Sequence, residues 1–260
     1  MITLIGHGYV GGYIKKCFDE FGIVYKHISH KDALPKETKF IVNAAGFTGV
    51  PNVDACEIYR DECVQGNVLF PLELEKRANE IPILHISSGC IYTGYKDGGW
   101  TEEDPPNFTF NNASFYSACK GLEQELLMPY MNKSYLFRIR MPFGPDRTPK
   151  NLLTKFETYA KLIDFENSVT QVEELAKCVT HFIVTKPPYG IYNVCNPGGI
   201  TGKEIVKAMK LEKEWMTEEE FKSITKAPRS NCVLSSKKLD KYFTMKPAKF
   251  AVSDTVLRYK

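Results

Sequence analysis

"MITLIGHGYVGG", residues 1–12, runs a short apolar stretch into a glycine-rich turn and on into a segment with helical periodicity. Gly6, Gly8 and Gly11 stand in G-x-G-x-x-G spacing after a predicted strand and before a predicted helix, the context in which that spacing binds dinucleotides. Gly6 permits the tight turn, Gly8 lets a pyrophosphate reach the backbone, and Gly11 lets helix and strand pack closely. The helix start at Tyr9 and Val10 offers free N–H groups and partial positive charge to an anion. A glycine-rich turn without a ligand is the plainer reading, and the placement favours dinucleotide binding.

Outward from this turn, apolar runs at 2–6, 23–28, 40–44, 83–88, 134–140 and 190–194 predict strands continuous enough to be buried on both faces. Helix-period stretches at 53–79, 114–131 and 170–185 lie between them. The order β-α-β-β-α-β-α-β predicts an α/β fold, a Rossmann-type doubly wound parallel sheet. Only "SHKDALPKETK" (29–39) joins the second and third strands, with room for a turn or two of helix at most. After Pro142 the chain becomes richer in Gly, Pro and charge. This predicts an NADP-binding domain at 1–142, to which 165–195 return, and a small C-terminal substrate-binding lobe from 143–164 and 196–260.

The chain has 260 residues, 43% hydrophobic, with a net charge of +3. Its charges are mixed along the sequence, so neither a nucleic-acid tail nor a membrane-binding patch is expected. Eight cysteines form no C-x-x-C pair and the five histidines do not cluster beside them. No metal site is expected, and isolated thiols suit a reducing cytosol. The apolar run at 1–12 is too short for a signal segment or a span, so a soluble cytoplasmic protein is expected. His85 reads as a hydrogen-bonded core histidine.

At the end of the second strand, "YKHISHKD" (25–32) places Ser29, His30 and Lys31 where an NAD enzyme carries an acid for the ribose. A hydroxyl and cations suit a 2′-phosphate, so NADPH is the expected cofactor, unless Lys31 is a solvated loop lysine. Three Tyr/Lys pairs occur at i, i+4: Tyr92/Lys96, Tyr116/Lys120 and Tyr242/Lys246. Gly94 interrupts the first and Pro247 disfavours helix at the third. Only Tyr116/Lys120, in "SFYSACKGLEQEL", sits in a convincing helix, where both side chains share a face. A nearby ammonium would lower the phenol's pKa toward acid–base work. With Ser88 at the end of the fourth strand, the set resembles a short-chain dehydrogenase/reductase site.

The fragments "NAAGFTGVPNVDACE", "GCIY", "EEDPPNFT", "SFYS", "RIRMP", "NLLTKF", "GIYNVCNPG" and "APRSN" occur in order over nearly the whole chain. Together they resemble the bifunctional UDP-4-keto-6-deoxy-D-glucose 3,5-epimerase/4-reductases of UDP-L-rhamnose synthesis. More loosely they are similar to dTDP-4-dehydrorhamnose reductases and GDP-fucose synthases, all extended short-chain reductases. The resemblance implies that Cys90 is the epimerase base and Lys155 its partner acid. From the residues alone, Cys90 reads as a small buried hydrophobe and Lys155 as a solvated helix lysine. It further implies that Ala44, Ala45, Gly46, Asn67, Met141 and Pro142 contact or support the cofactor. Asn151 and Arg229 would hold the diphosphate and uracil, with Thr48, Gly49 and Asn107 as sugar-pocket candidates; a surface ion pair is the alternative for Arg229. Related dehydratases carry an Asp-Glu pair where this chain has Gly89 and Cys90, so a separate 4,6-dehydratase would supply the substrate. The resemblance also implies a homodimer packed through 53–79 and 114–131. The plant enzymes have a GxxGxxG turn and a longer connection after the second strand, which weakens the transfer of roles to Ser29 and Lys31. A reductase without epimerase activity and a non-catalytic dinucleotide-binding subunit are the rival readings.

Overall fold

Ile2–Ile5 form β1, and the glycine turn passes the chain directly to α1 (Tyr9–Glu20). The computed structural model describes residues 1–50 and 52–260. β2 (Tyr25–Ile28) and β3 (Phe40–Asn43) follow. A helical stretch then comprises a 3₁₀ turn (Val53–Glu57), α2 (Arg60–Val64), a π turn (Gln65–Leu69) and α3 (Phe70–Ala78). β4 (Ile83–Ser88), α4 (Phe115–Leu127), β5 (Tyr135–Ile139) and β6 (Pro142–Phe143) come next. They are followed by α5 (Leu152–Thr158), β7 (Lys161–Leu162), β8 (Thr170–Gln171), α6 (Val172–Thr185) and β9 (Gly190–Asn193). The chain ends with α7 (Gly202–Ala208), β10 (Glu214–Trp215), α8 (Glu218–Ile224) and α9 (Ala248–Val256).

Six strands form one parallel sheet in the order β2-β1-β3-β4-β5-β9. Ile2 of β1 is in register with Tyr25 on one side and Phe40 on the other. Every residue of β3 and β5 is buried, as expected for strands covered on both faces. Leu4, Ile14, Phe18, Phe137, Val179 and Phe182 pack on one face beneath α1 and α6; Ile5, Ile28, Ile41, Leu74 and Ile83 pack on the other. A second core of Phe143, Leu153, Val169, Ile200, Ile205 and Val252 builds the C-terminal lobe. The sheet order reverses at β1, and such a switch point opens a crevice at the carboxyl ends of the strands.

The connection at 29–39 keeps within the expected turn or two of helix at most, whereas the stretch at 53–79 differs from expectation. Residues 29–39 contain no helix: Asp32 accepts from Ser29 N–H (2.7 Å), Thr38 N–H donates to Pro35 O (3.1 Å), and Pro35 cannot donate. The stretch 53–79 is broken rather than one helix. At its π turn the buried Asn67 leaves the helix surface to grip Phe47, donating to its O (2.7 Å) and accepting from its N–H (3.1 Å). A Cβ on Gly66 would lie 3.1 Å from Phe47 Cβ, so glycine permits that approach. Among the described residues, no helix is long and apolar enough to cross a membrane.

Gly11 is where α1 meets the strand turn: a Cβ there would fall 2.2 Å from Gly6 O. On the exposed side of the same helix, a Cβ on Gly12 meets nothing within 4 Å. Gly11→Ala is expected to lower stability by about 2 kcal/mol, and Gly12→Ala to raise it by about 0.5–1 kcal/mol, both read by urea denaturation.

Candidate active site

A cleft of about 1060 Å³ opens over the carboxyl ends of β1, β3, β4 and β5, with the C-terminal lobe as its far wall. Gly6 adopts φ +107°, and a Cβ on it would lie 2.7 Å from Ala44 C and Ala45 N, so the β1 and β3 turns touch there. Gly8 is the N-cap of α1 in extended conformation, and no protein atom lies within 4 Å of where its Cβ would be. Gly8, Tyr9, Val10, Ala44, Ala45 and Gly46 line the cleft, so the residues at this end fit a dinucleotide diphosphate on a helix N-terminus. Asn67 also lines it, behind Gly46. Met141 and Pro142 form the opposite rim, with Met141 held at φ +37°. Ser29 and Lys31 stand at the end of β2 outside the cleft lining, and Lys31 is exposed.

Ser88 ends β4, and its Oγ accepts from the N–H of Cys90 (3.2 Å). This turn is tight because Gly89 lies flush against its neighbours: a Cβ there would fall 2.4 Å from Leu234 Cδ1. The turn leaves Cys90 8% exposed, in the cleft wall with Ser88, Tyr116 and Lys120. α4 begins at Ser114, whose side chain caps Ser117 N–H, and this start carries Tyr116 and Lys120 into the cleft one turn apart. Lys155 reaches the same cleft from α5.

The electrostatics differ from the sequence expectation in one respect. Lys120 Nζ is bonded to Glu123 Oε2 at 3.0 Å, and the two side chains are 4% and 2% exposed. Glu123 also accepts from Ser87 Oγ at 2.5 Å. Tyr116 is accordingly held well above the ordinary phenol range, by burial first and then by the charges of Cys90 and Glu123. Burial outweighs any pull of the lysine on the phenol. Burial also pushes the Cys90 thiol up, while the hydroxyls of Ser117 and Ser88 and the charges of Arg140 and Lys120 pull it back. Lys155 is held below the usual ammonium range by burial, then by Lys150 and Arg229.

Two of the substrate-site candidates do not reach the cleft either. Asn151 is fully buried as the N-cap of α5: its side chain accepts from Leu153 N–H (3.0 Å) and donates to Gly144 O and Asp146 O. Asn107 is exposed and grips the backbone of Thr93 through both its amide atoms. Thr48, Gly49 and Arg229 do line the cleft. Arg229 is bound to Asp54 at 2.7 Å, the ion pair that was its alternative reading. Lys150, unremarked in the sequence, donates to Thr48 Oγ1 (2.9 Å) and to Gly49 O. Glu123 carried a signal in its i, i+3 spacing from Lys120; Lys150 and Asp54 carried none, since their partners are remote in sequence. His85 is buried between Glu75 (3.1 Å) and Asn43 (3.2 Å), away from the cleft. Among the described residues no cluster of His, Cys, Asp or Glu could hold a metal ion.

Removing one partner of a buried ion pair strands the other. Glu123→Gln is therefore expected to cost about 3 kcal/mol, measured by chemical denaturation.

Residues 26–257 match the family described as the RmlD substrate binding domain. The chain is 34% identical to an Arabidopsis thaliana bifunctional dTDP-4-dehydrorhamnose 3,5-epimerase/dTDP-4-dehydrorhamnose reductase, covering 97% of this chain and 89% of that protein. It is 32% identical to an Arabidopsis trifunctional UDP-glucose 4,6-dehydratase/UDP-4-keto-6-deoxy-D-glucose 3,5-epimerase/UDP-4-keto-L-rhamnose-reductase, again over 97% of the chain, but it spans only 40% of that protein's length. Among solved structures, the L780 UDP-rhamnose synthase of Acanthamoeba polyphaga mimivirus superposes with a TM-score of 0.89 at 25% identity, over 99% of each chain. A Bacillus anthracis dTDP-4-dehydrorhamnose reductase in complex with NADP has the same fold, at TM-score 0.80 and 17% identity over 98% of each chain. On the matched residues, the parallel sheet and the shared architecture, the chain belongs to the RmlD-like reductase family.

Proposed function

We propose that this protein is an NADPH-dependent reductase of a 4-keto-6-deoxy nucleotide sugar that also inverts C3 and C5, converting UDP-4-keto-6-deoxy-D-glucose to UDP-L-rhamnose. The observation that carries this reading is that Ser88, Cys90, Tyr116, Lys120 and Lys155 all line a single cleft. NADPH, bound on the glycine turn of β1 and the Ala44–Gly46 turn of β3, supplies the hydride that reduces C4. Ser88 orients the carbonyl oxygen, and Tyr116 donates the proton that completes the alcohol. A phenol held above its ordinary range stays protonated through neutral pH, which suits a donor. Lys120, fixed by Glu123, orients the nicotinamide ribose.

Before reduction, the C4 carbonyl acidifies the protons on C3 and C5. Cys90 as thiolate removes such a proton, the C–H electrons move to the C4 oxygen as an enolate, and Lys155 returns a proton to the other face of the ring. Burial and neighbouring cations favour the neutral amine at Lys155, so its ammonium gives up a proton readily. Solvent then reprotonates Lys155 and takes the proton from Cys90. Charge in the cleft favours an anionic ligand: Lys150 and Lys155 have no carboxylate partner among the described residues. Phe165 and Phe221, with ring centroids 6.3 Å apart, offer the C-terminal lobe's aromatic face to a base. Gly89 and Cys90 supply no carboxylate beside Ser88, so water elimination from the parent sugar belongs to another site.

A second reading, reduction without epimerisation, draws support from the burial that raises the Cys90 thiol. Incubation with UDP-4-keto-6-deoxy-glucose and NADPH in D₂O separates the two. Deuterium is expected at both C3 and C5. Cys90→Ala should slow exchange at least ~100-fold while leaving reduction of a pre-epimerised ketone measurable. Because Cys90 works as thiolate and Lys155 as ammonium, the exchange rate should climb as pH rises from neutral and fall again once Lys155, lowered by burial, loses its proton. Exchange that survives Cys90→Ala removes the thiol from the mechanism.

A further inference from the structure

The cations in the wall of the cleft differ in what they face. Lys120 is matched by Glu123 and Arg229 by Asp54. Arg140, directly after β5, is only 5% exposed and has no carboxylate partner among the described residues. Its guanidinium donates to neutral oxygens alone: Ser230 Oγ (3.0 Å), Ser230 O (3.0 Å) and Asn167 Oδ1 (2.5 Å). Its Nε is buried without any acceptor. A guanidinium keeps its charge, and burying one unmatched is costly, as is leaving a donor unmade. Such a group calls for an anion that is present when the protein works.

Of the thiols near Arg140, Cys90 is the one in the wall of the cleft. The Arg140 stem lies along the intervening residue, since a Cβ on Gly89 would stand 3.2 Å from Arg140 Cδ and 3.3 Å from its Cγ. Both side chains line the cleft. We propose that Arg140 is the built-in counter-charge of the Cys90 thiolate, a proposal that rests on the epimerase reading of this same cleft. The groups around Cys90 leave it little competition. Tyr116, Ser117, Lys120 and Glu123 approach from α4, and the lysine and glutamate cancel each other. Cys232 lies across Gly89, its Sγ 3.7 Å from Gly89 O, and brings no positive charge. Beside the hydroxyls of Ser117 and Ser88, Arg140 thus supplies the unmatched positive charge that favours loss of the S–H proton to water. The thiolate then takes the proton from the sugar carbon as described above. Arg140 acts through Cys90 and not on the sugar, so it is a positioning residue.

The test reads the thiol without substrate. The rate of Cys90 alkylation by iodoacetamide is followed against pH by peptide mass spectrometry, in the wild type and in Arg140→Met, Arg140→Gln and Arg140→Lys. Removing the charge is expected to move the alkylation profile to higher pH and slow the reaction about tenfold at pH 7.5. Arg140→Lys should restore most of the rate. Arg140→Gln, which keeps donors for Asn167 and Ser230, carries the test if the methionine variant does not fold by circular dichroism. A profile unchanged in a folded, uncharged variant overturns the proposal. So does an unchanged profile with a raised KM, which would assign Arg140 to an anionic group of the substrate. If the profile shifts while the wild type exchanges no deuterium at C3 or C5, the charge pairing stands and the epimerase reading falls.

Discussion

An ammonium and a carboxylate one turn apart on α4, both withdrawn from water, are the constraint around which the site is arranged. Neither Lys120 nor Glu123 could be buried alone at tolerable cost, and together they can be only if their remaining hydrogen-bonding capacity is met. Ser87 of β4 meets part of it, which keys α4 to the central sheet by a directional contact in addition to apolar packing. Given that key, Tyr116 must stand one helical turn nearer the strand ends, where Ser88 and Cys90 already face. A single buried pair thus determines where a phenol, a hydroxyl and a thiol converge.

The sheet was legible because its signal is local. Runs of four to six apolar residues, a glycine turn whose spacing has one geometric meaning, and Tyr/Lys at helical spacing each fit within a dozen residues. What escaped was whatever depends on a partner distant in the chain. The stretch 53–79 has helix periodicity throughout, yet the chain leaves the helix at Ile58–Tyr59 and widens to a π turn where Asn67 grips Phe47, twenty residues earlier. Asn151 and Asn107 carry side chains suited to a ligand, but each is used up by nearby backbone, as amides at helix starts and turns often are. Arg229 and Asp54 are 175 positions apart and meet across the cleft. No windowed pattern contains such a pair.

The C-terminal residues are tied to the sheet domain by apolar packing, through Leu239 and Met245 in the sheet core and Leu234 against Ile91, and by contacts across the cleft. Asp54 with Arg229, Lys150 with the Thr48–Gly49 backbone and side chain, and a bridge between Trp100 and Leu234 all cross from one to the other. Two of these three use a cation that lines the cleft. An incoming anion would therefore compete for the same groups that hold the walls together. Ligand affinity and the spacing of the walls are linked through those side chains.

The burial that weakens Tyr116 as an acid bears on the form in which it would meet a ligand. Making an alcohol from a ketone asks the phenol only to give its proton away. Running the chemistry backward would ask the corresponding phenolate to strip a proton from a hydroxyl, and this environment keeps that anion scarce. On the proposed chemistry, the pocket keeps this group in the form that gives a proton, while the balance between ketone and alcohol stays with the reactants themselves.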